Sequence, residues 1–239
     1  MPQTGKDTKV YHGGYEFTSY LDSVEASRQI AALETTTFGD ESRTFVKGIK
    51  DGTASVSGFY DDTYADALET NYGGANVPVS FVFGSTAGST ALIFNAIEAN
   101  LAATGSVTEL VRLDAEYKPS SNGVEEGVLV LPSTTTSGAV GPSEGATYDR
   151  GTGSSSGVYM ALHVISAESS GTLDVVLQTN TASDFSGTAQ NYSFTQVTTS
   201  VTAEYVESTT APKRYARVQY TAAGASSGYT FIVTYGHRR

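Results

Sequence analysis

The chain contains three histidines and no cysteine, so a zinc-like site would need His12, His163 and His237 together with carboxylates. Their placement argues against a shared metal. His12 and His237 fall in terminal segments and His163 in a strand-like run, so three distant segments would have to converge. Carboxylates gather at Asp61-Asp62 with Asp66, at Asp40-Glu41 and at Glu125-Glu126, and clustered carboxylate oxygens suit hard cations. The first group stands just ahead of Tyr64, Ala67 and Leu68, where helix capping accounts for it. A glycosidase needs two carboxylates across a cleft, and Glu125-Glu126 reads as solvated loop charge. No HExxH, GxSxG or Walker-type loop occurs. The residues therefore predict no catalytic, cofactor or metal site, and a protein that is not an enzyme.

Binding chemistry is equally restricted. Net charge is −11 and the sequence pI about 4.6, with the acidic excess concentrated before Lys118. Neutralising phosphates requires Lys and Arg, so tight nucleic-acid binding is excluded. In the second half Lys213-Arg214, Arg217 and Arg238-Arg239 form no stripe, because Arg214 and Arg217 point to opposite faces of a strand. Subunit salt bridges or solubility explain them. Tyr192, Tyr205, Tyr215, Tyr220, Tyr229 and Tyr235 would stack on sugars if several shared an exposed face, but packing within sheets is the ordinary role of strand tyrosines. Only 16% of residues are charged, against a typical value near 25%. A Ser-, Thr- and Gly-rich surface of that kind suits one covered by copies of itself. No apolar run is long enough for a membrane-spanning helix. The polar N-terminus lacks the apolar core of a signal peptide, which predicts a protein made in a cytoplasm.

The elements expected to carry these residues are mainly strands. Thr35 to Asp61 reads as two strand-like runs meeting at Lys50-Asp51-Gly52, where Asp-Gly supplies positive φ for a tight turn. Ala54, Val56 and Tyr60 lie on one side of the second run. Residues 1–14 read as an arm ordered by a partner. Val24 to Leu33 favours a helix, and a short capped helix follows Asp61-Asp62-Thr63 and ends near Asn71. Val77 to Phe83 is a strand. Ser89 to Gly105 has both a helical stripe and the option of a long strand, and is taken as strand, paired with Val107 to Tyr117. Lys118 to Gly123 is a Pro/Ser/Gly break, and residues 133–157 form a loose Gly/Ser-rich stretch. From Val158 onward short strands recur between polar turns, as in an antiparallel sandwich or jelly roll.

Thr36-Thr37-Phe38-Gly39-Asp40, then Gly48-Ile49-Lys50-Asp51-Gly52, then Ser57-Gly58-Phe59-Tyr60-Asp61 resembles the major tail tube proteins of long-tailed bacteriophages. In that family a T-T-F-G-D stretch precedes a G-L-K-D turn and an S-G-F-x-D strand end. The likeness covers about residues 10 to 118, and the second half is similar in architecture to β-sandwich modules appended to virion proteins. The resemblance implies an all-β-dominated chain with one or two short helices: an N-terminal tail-tube-like β-sandwich or barrel and a C-terminal antiparallel β-sandwich. The implied domains are an arm at 1–14, a ring-forming domain at 15–118, a linker or flap at 119–157, and an exterior sandwich at 158–239. It further implies a structural virion protein, assembled in the host cytoplasm into stacked, usually six-membered rings with other tail proteins, through which DNA passes without specific binding and with no membrane partner. Contacts between subunits would then come from Thr36, Thr37, Phe38, Gly39, Asp40, Gly48, Lys50, Asp51, Gly58 and Phe59. The other readings are a decoration or host-glycan-binding module and a wall-degrading hydrolase.

Overall fold

The computed structural model describes all residues except 1–4, 40, 121–122, 137, 152–155, 168–169, 225–227 and 238–239. In chain order the elements are β1 (Thr8–His12), β2 (Tyr15–Glu16), β3 (Leu21–Glu34), β4 (Phe45–Phe59), α1 (Asp62–Asn71), β5 (Val77–Phe83), β6 (Thr90–Thr104), β7 (Arg112–Pro119), β8 (Glu125–Thr135), β9 (Val140–Glu144), β10 (Tyr148–Asp149), β11 (Val158–Ser166), β12 (Thr172–Asn180), β13 (Gln190–Ser193), β14 (Thr202–Ser208), β15 (Tyr215–Ala223) and β16 (Thr230–His237). The fold is all-β, with one α-helix among the described residues. Two compact units divide it: a larger one from Met1–Ser19, Val77–Ile93 and Glu125–Arg239, and a smaller one from Tyr20–Asn76 and Phe94–Val124.

In the larger unit one antiparallel sheet runs β14-β11-β16-β8, continues through the first residues of β6, and ends with β5-β1-β2. A second sheet runs β10-β15-β12-β13, with β9 also on β15. Met160, Leu162 and Val164 of the first meet Leu173, Val175 and Leu177 of the second in a dry core, the alternate-residue burial expected of facing sheets. The opposite face of β11 is buried too, so Tyr159 and Ala161 join Tyr11, Val82 and Ile93 in a second cluster. That face carries a closed polar chain. His163 Nδ1 donates to the carbonyl of Gly13 at 2.8 Å, Nε2 accepts from Ser80 Oγ at 2.9 Å, and Ser80 Oγ meets Thr234 Oγ1 at 3.1 Å. The backbone carbonyl fixes the tautomer, since it can only accept.

Three sequence expectations meet different physics here. Thr8–His12, within the expected arm, pairs residue by residue with Val79–Phe83, and Val10, Tyr11 and His12 are buried. The apolar Val10 and Tyr11 supply the reason, since a strand that buries them gains more than an arm that exposes them. Within the expected linker or flap, Glu125–Thr135, Val140–Glu144 and Tyr148–Asp149 form β8, β9 and β10. Arg214 and Arg217 pair within the chain, with Asp149 and Glu144.

The smaller unit is a four-stranded antiparallel sheet in the order β3-β4-β7-β6, with α1. Asp61 caps the helix by accepting from the Thr63 N–H at 3.0 Å, and Tyr64, Ala65, Ala67 and Leu68 are buried, as the cap and the apolar spacing predict. β6 is a strand despite its helix-favouring Ala, Leu and Glu. β3 is likewise a strand where Val24 to Leu33 predicts helix. In both, ladder pairing along the whole segment outweighs local propensity.

The expected turn at Lys50-Asp51-Gly52 is absent. Lys50, Asp51 and Gly52 lie inside β4, opposite Ile30, Gln29 and Arg28. Gly52 is glycine for a different reason: a Cβ there would sit 2.8 Å from the Ser27 carbonyl oxygen and 3.2 Å from Val124 Cγ2. The chain reverses instead between Glu34 and Phe45.

Candidate assembly surface

The hairpin β3–β4 changes character half-way along. From Gly52 to Gly58 the residues of β4 alternate buried and half-buried, and Ala54 to Phe59 pair with β7 on the side away from β3. From Phe45 to Asp51 the strand pairs only with β3 among the described residues, and no side chain there is buried. Residues 28–34 of β3 are likewise exposed. A two-stranded ribbon has little stability of its own in water, yet this one continues for seven residues of β4 beyond the supporting sheet.

Its composition is not that of a solvated ribbon. Opposed residues share a face, so Leu33 and Val46 lie on one face, while Ile30, opposite Lys50, and Phe45, opposite Glu34, lie on the other; Ile49 stands at the bulge between the two registers. All five apolar residues are exposed, Ile49 by 82%. Both faces of the ribbon therefore offer apolar area to water, at a cost that burial against another surface would remove.

The tip is held in shape. The Thr35 N–H donates to the Thr44 carbonyl at 2.9 Å, the Thr44 N–H donates to Thr36 Oγ1 at 3.1 Å, and the hydroxyls of Thr35 and Thr44 meet at 3.2 Å. Phe38 projects from this closed end, fully exposed. Thr36, Thr37, Phe38 and Gly39 thus lie together at the tip, while Asp40 lies outside the described residues. Gly48, Lys50 and Asp51 lie along the exposed half of β4. Gly48 is held between strands, since a Cβ there would come within 2.9 Å of the Ala31 carbonyl oxygen.

Gly58 and Phe59 do not belong to that patch. They end β4, about 45 Å of extended chain from Phe45 at roughly 3.3 Å per residue. Gly58 is buried against the carbonyl of Tyr20, where no Cβ fits. Phe59 lies under Arg112, whose guanidinium carbon is 5.4 Å from the ring centroid. Arg112 also grips Asp22 through two bonds of 2.8 and 2.7 Å and donates to Ser57 Oγ at 2.8 Å. The Arg112 contact holds the Asp22 carboxyl below its ordinary range.

At this end lies a second apolar group that the sequence reading missed. The connection from β6 to β7 exposes Val107, Leu110 and Val111, beside exposed Phe59 and Tyr60, with the Tyr60 N–H donating to the Val111 carbonyl at 2.9 Å. The sequence reading placed these residues in a strand from Val107 to Tyr117, whereas β7 begins only at Arg112. The four-stranded sheet therefore ends in two different apolar groups, the hairpin at one end and the 105–111 connection at the other.

Beneath α1 the smaller unit encloses an acid. Glu98 on β6 is 2% exposed, and burial first, then the charge of Glu69, pushes its carboxyl up to about 8. Tyr64 of α1 and Tyr117 of β7 are close enough for the Glu98 charge to raise both phenols further above a level already set by burial. Among the described residues no group of three His, Cys, Asp or Glu side chains is placed to hold a metal ion.

No protein-family model matches the chain, and no curated protein does. Among solved structures, a chain from the virion of a native gene transfer agent particle aligns over 52% of this chain and 99% of its own, at 12% identity and TM-score 0.43. The SPP1 Dit protein, described as a hub adsorption apparatus in phages infecting Gram-positive hosts, aligns over 95% and 98% at 12% identity and TM-score 0.35. A chain of the phage p2 baseplate aligns over 95% and 97% at 9% identity and TM-score 0.34. At these TM-scores the function is argued from the chain's own surfaces.

Proposed function

We propose that the chain is a self-assembling structural subunit of a bacteriophage tail, and more specifically the major tail tube subunit that its sequence motifs resemble. The observation that carries assembly is the pair of unlike apolar ends on one sheet. Two unlike patches make a head-to-tail contact, and repeated head-to-tail contacts close into rings or run on as stacks. Like patches would instead give a two-fold dimer.

In this reading the exposed half of β3–β4 docks on the next copy. Each large apolar side chain that it buries contributes about 1.5–3 kcal/mol. Ile30, Leu33, Phe38, Phe45, Val46 and Ile49 together supply on the order of 10 kcal/mol, comparable to the estimated cost of about 4–15 kcal/mol for immobilising two bodies. Binding of a single copy is then weak, and a closed ring, where each subunit makes two contacts, is favoured. The unpaired edge of residues 45–51 would be covered in the same step, removing an aggregation liability. The acidic surface would repel DNA moving through a lumen.

Sedimentation velocity and negative-stain microscopy of the concentrated protein test this reading. Rings or hollow tubes of uniform diameter are expected. A particle that stays monomeric at high concentration, and does not grow when seeded with tail tips, would refute it.

A further inference from the structure

Charge is segregated along the smaller unit. Between Lys50 and Arg112 the sequence contains no Lys, Arg or His, while Asp61, Asp62, Asp66 and Glu109 are all exposed there. These acids flank the second apolar group. Asp61 and Asp62 directly follow Phe59 and Tyr60, Asp66 stands one turn further along α1, and Glu109 precedes Leu110 and Val111. This end of the sheet is therefore both apolar and anionic.

The hairpin has the opposite sign along its shaft. Lys50 pairs with Ile30 across the ladder and Lys47 pairs with Ala32. Residues two apart on β3 share a face, and so do opposed residues, so Arg28, Lys47 and Lys50 lie on one side of the ribbon with Ile30 and Phe45. The bulge between the two registers brings two lysines three apart in sequence to the same side. Asp51, opposite Gln29, lies on the other face. Toward the tip the sequence turns acidic again, with Glu34, Asp40 and Glu41 against Arg43. The cationic stretch is thus the shaft and not the tip.

An apolar face bearing cations fits an apolar end bearing anions, but one chain cannot bring its own two together. The extended run of β4 holds Lys50 about 30 Å from Phe59 at roughly 3.3 Å per residue, well beyond the reach of about 8 Å that charges have at physiological salt. We propose that the hairpin shaft seats on the end of a second copy marked by Tyr60 and Val111, with Lys47 and Lys50 facing Asp62, Asp66 and Glu109 across the contact. This rests on the assembly reading above and names the surfaces that meet. Apolar burial supplies the affinity. The charges steer the encounter and penalise the two like-ended pairings, hairpin on hairpin and seat on seat.

The test is a charge swap in the full chain, read by sedimentation velocity. One variant carries Lys47→Glu and Lys50→Glu; the other carries Asp62→Lys, Asp66→Lys and Glu109→Lys. Each alone is expected to need at least about tenfold more protein than wild type to assemble, because like charges then meet. Mixed in equal amounts they are expected to assemble together, since every contact between unlike copies is again complementary. If wild type assembles and the mixture does not, or if either variant alone assembles as wild type does, the pairing is overturned and the assembly reading stands. A wild type that never assembles removes both. Should a variant not fold, wild type alone decides between about 0.05 and about 0.5 M sodium chloride, which shortens the reach of charge to about 4 Å. Assembly that weakens with salt supports the pairing. Assembly that is unchanged or strengthened overturns it, since copies of net charge −11 without complementary ends repel less as salt rises.

Discussion

Replacing Glu98 by Gln should remove a pH dependence built into the smaller unit. In the folded chain this carboxyl is held up to about 8 from an ordinary 4.5, by burial first and by Glu69 second. The unfolded chain ionises near the ordinary value. Between 4.5 and about 8 the unfolded state has lost the proton that the folded state keeps, so stability falls as pH rises through that window and levels off above it. The full shift corresponds to about 4–5 kcal/mol at about 1.4 kcal/mol per unit. Solvent screening of the ionised form discounts this to about 2 kcal/mol. Gln has the shape of the protonated acid and no charge to lose. Urea unfolding followed by tyrosine fluorescence at about pH 5, 7 and 9 measures the effect. Wild type should lose stability over that range, the variant should lose less, and the two should agree at the acid end. Equal slopes for the two proteins would refute the reasoning, as would a wild type whose stability rises with pH.

Acid should act on the larger unit in the opposite sense. Burial holds His163 down to about 4 and His12 down to about 3, so stability is retained above 6.5 and lost as pH falls from there towards 4, and urea midpoints across that interval should drop. His163→Gln should reduce the drop while lowering stability at neutral pH. Gly58→Ala should destabilise the smaller unit by about 1–3 kcal/mol, since the new methyl meets the Tyr20 carbonyl, and thermal unfolding reads this directly. Ile49→Lys changes a residue 82% exposed and should leave the Tm within about 1 °C while abolishing assembly by sedimentation. An unchanged sedimentation profile would remove the hairpin from the interface.

Legibility in the sequence followed the range of the interactions involved. The α1 helix was readable because its cap and its apolar face lie within ten residues. The strands of the second half were readable from alternation and turn residues. The turn at Lys50-Asp51-Gly52 was misread because a glycine next to an aspartate serves a tight turn and a close strand-to-strand approach equally well. Only the position of Val124 and the Ser27 carbonyl separates the two, and neither is local. Thr36 to Gly39 were singled out as a group at the start of a hairpin, and they stand at its tip. Gly58 and Phe59 were joined to them by motif, although the straight run of β4 holds them far apart.

The unlike ends of the β3-β4-β7-β6 sheet give any head-to-tail assembly a polarity. One terminus of a growing array always offers a hairpin seeking a seat, and the other always offers a seat. Initiation and termination then become separate recognition events. A capping protein shaped like the 105–111 end would stop growth at the hairpin terminus, and one carrying a hairpin mimic would stop it at the other. Length and starting point can thus be governed by different molecules without any change to the subunit itself.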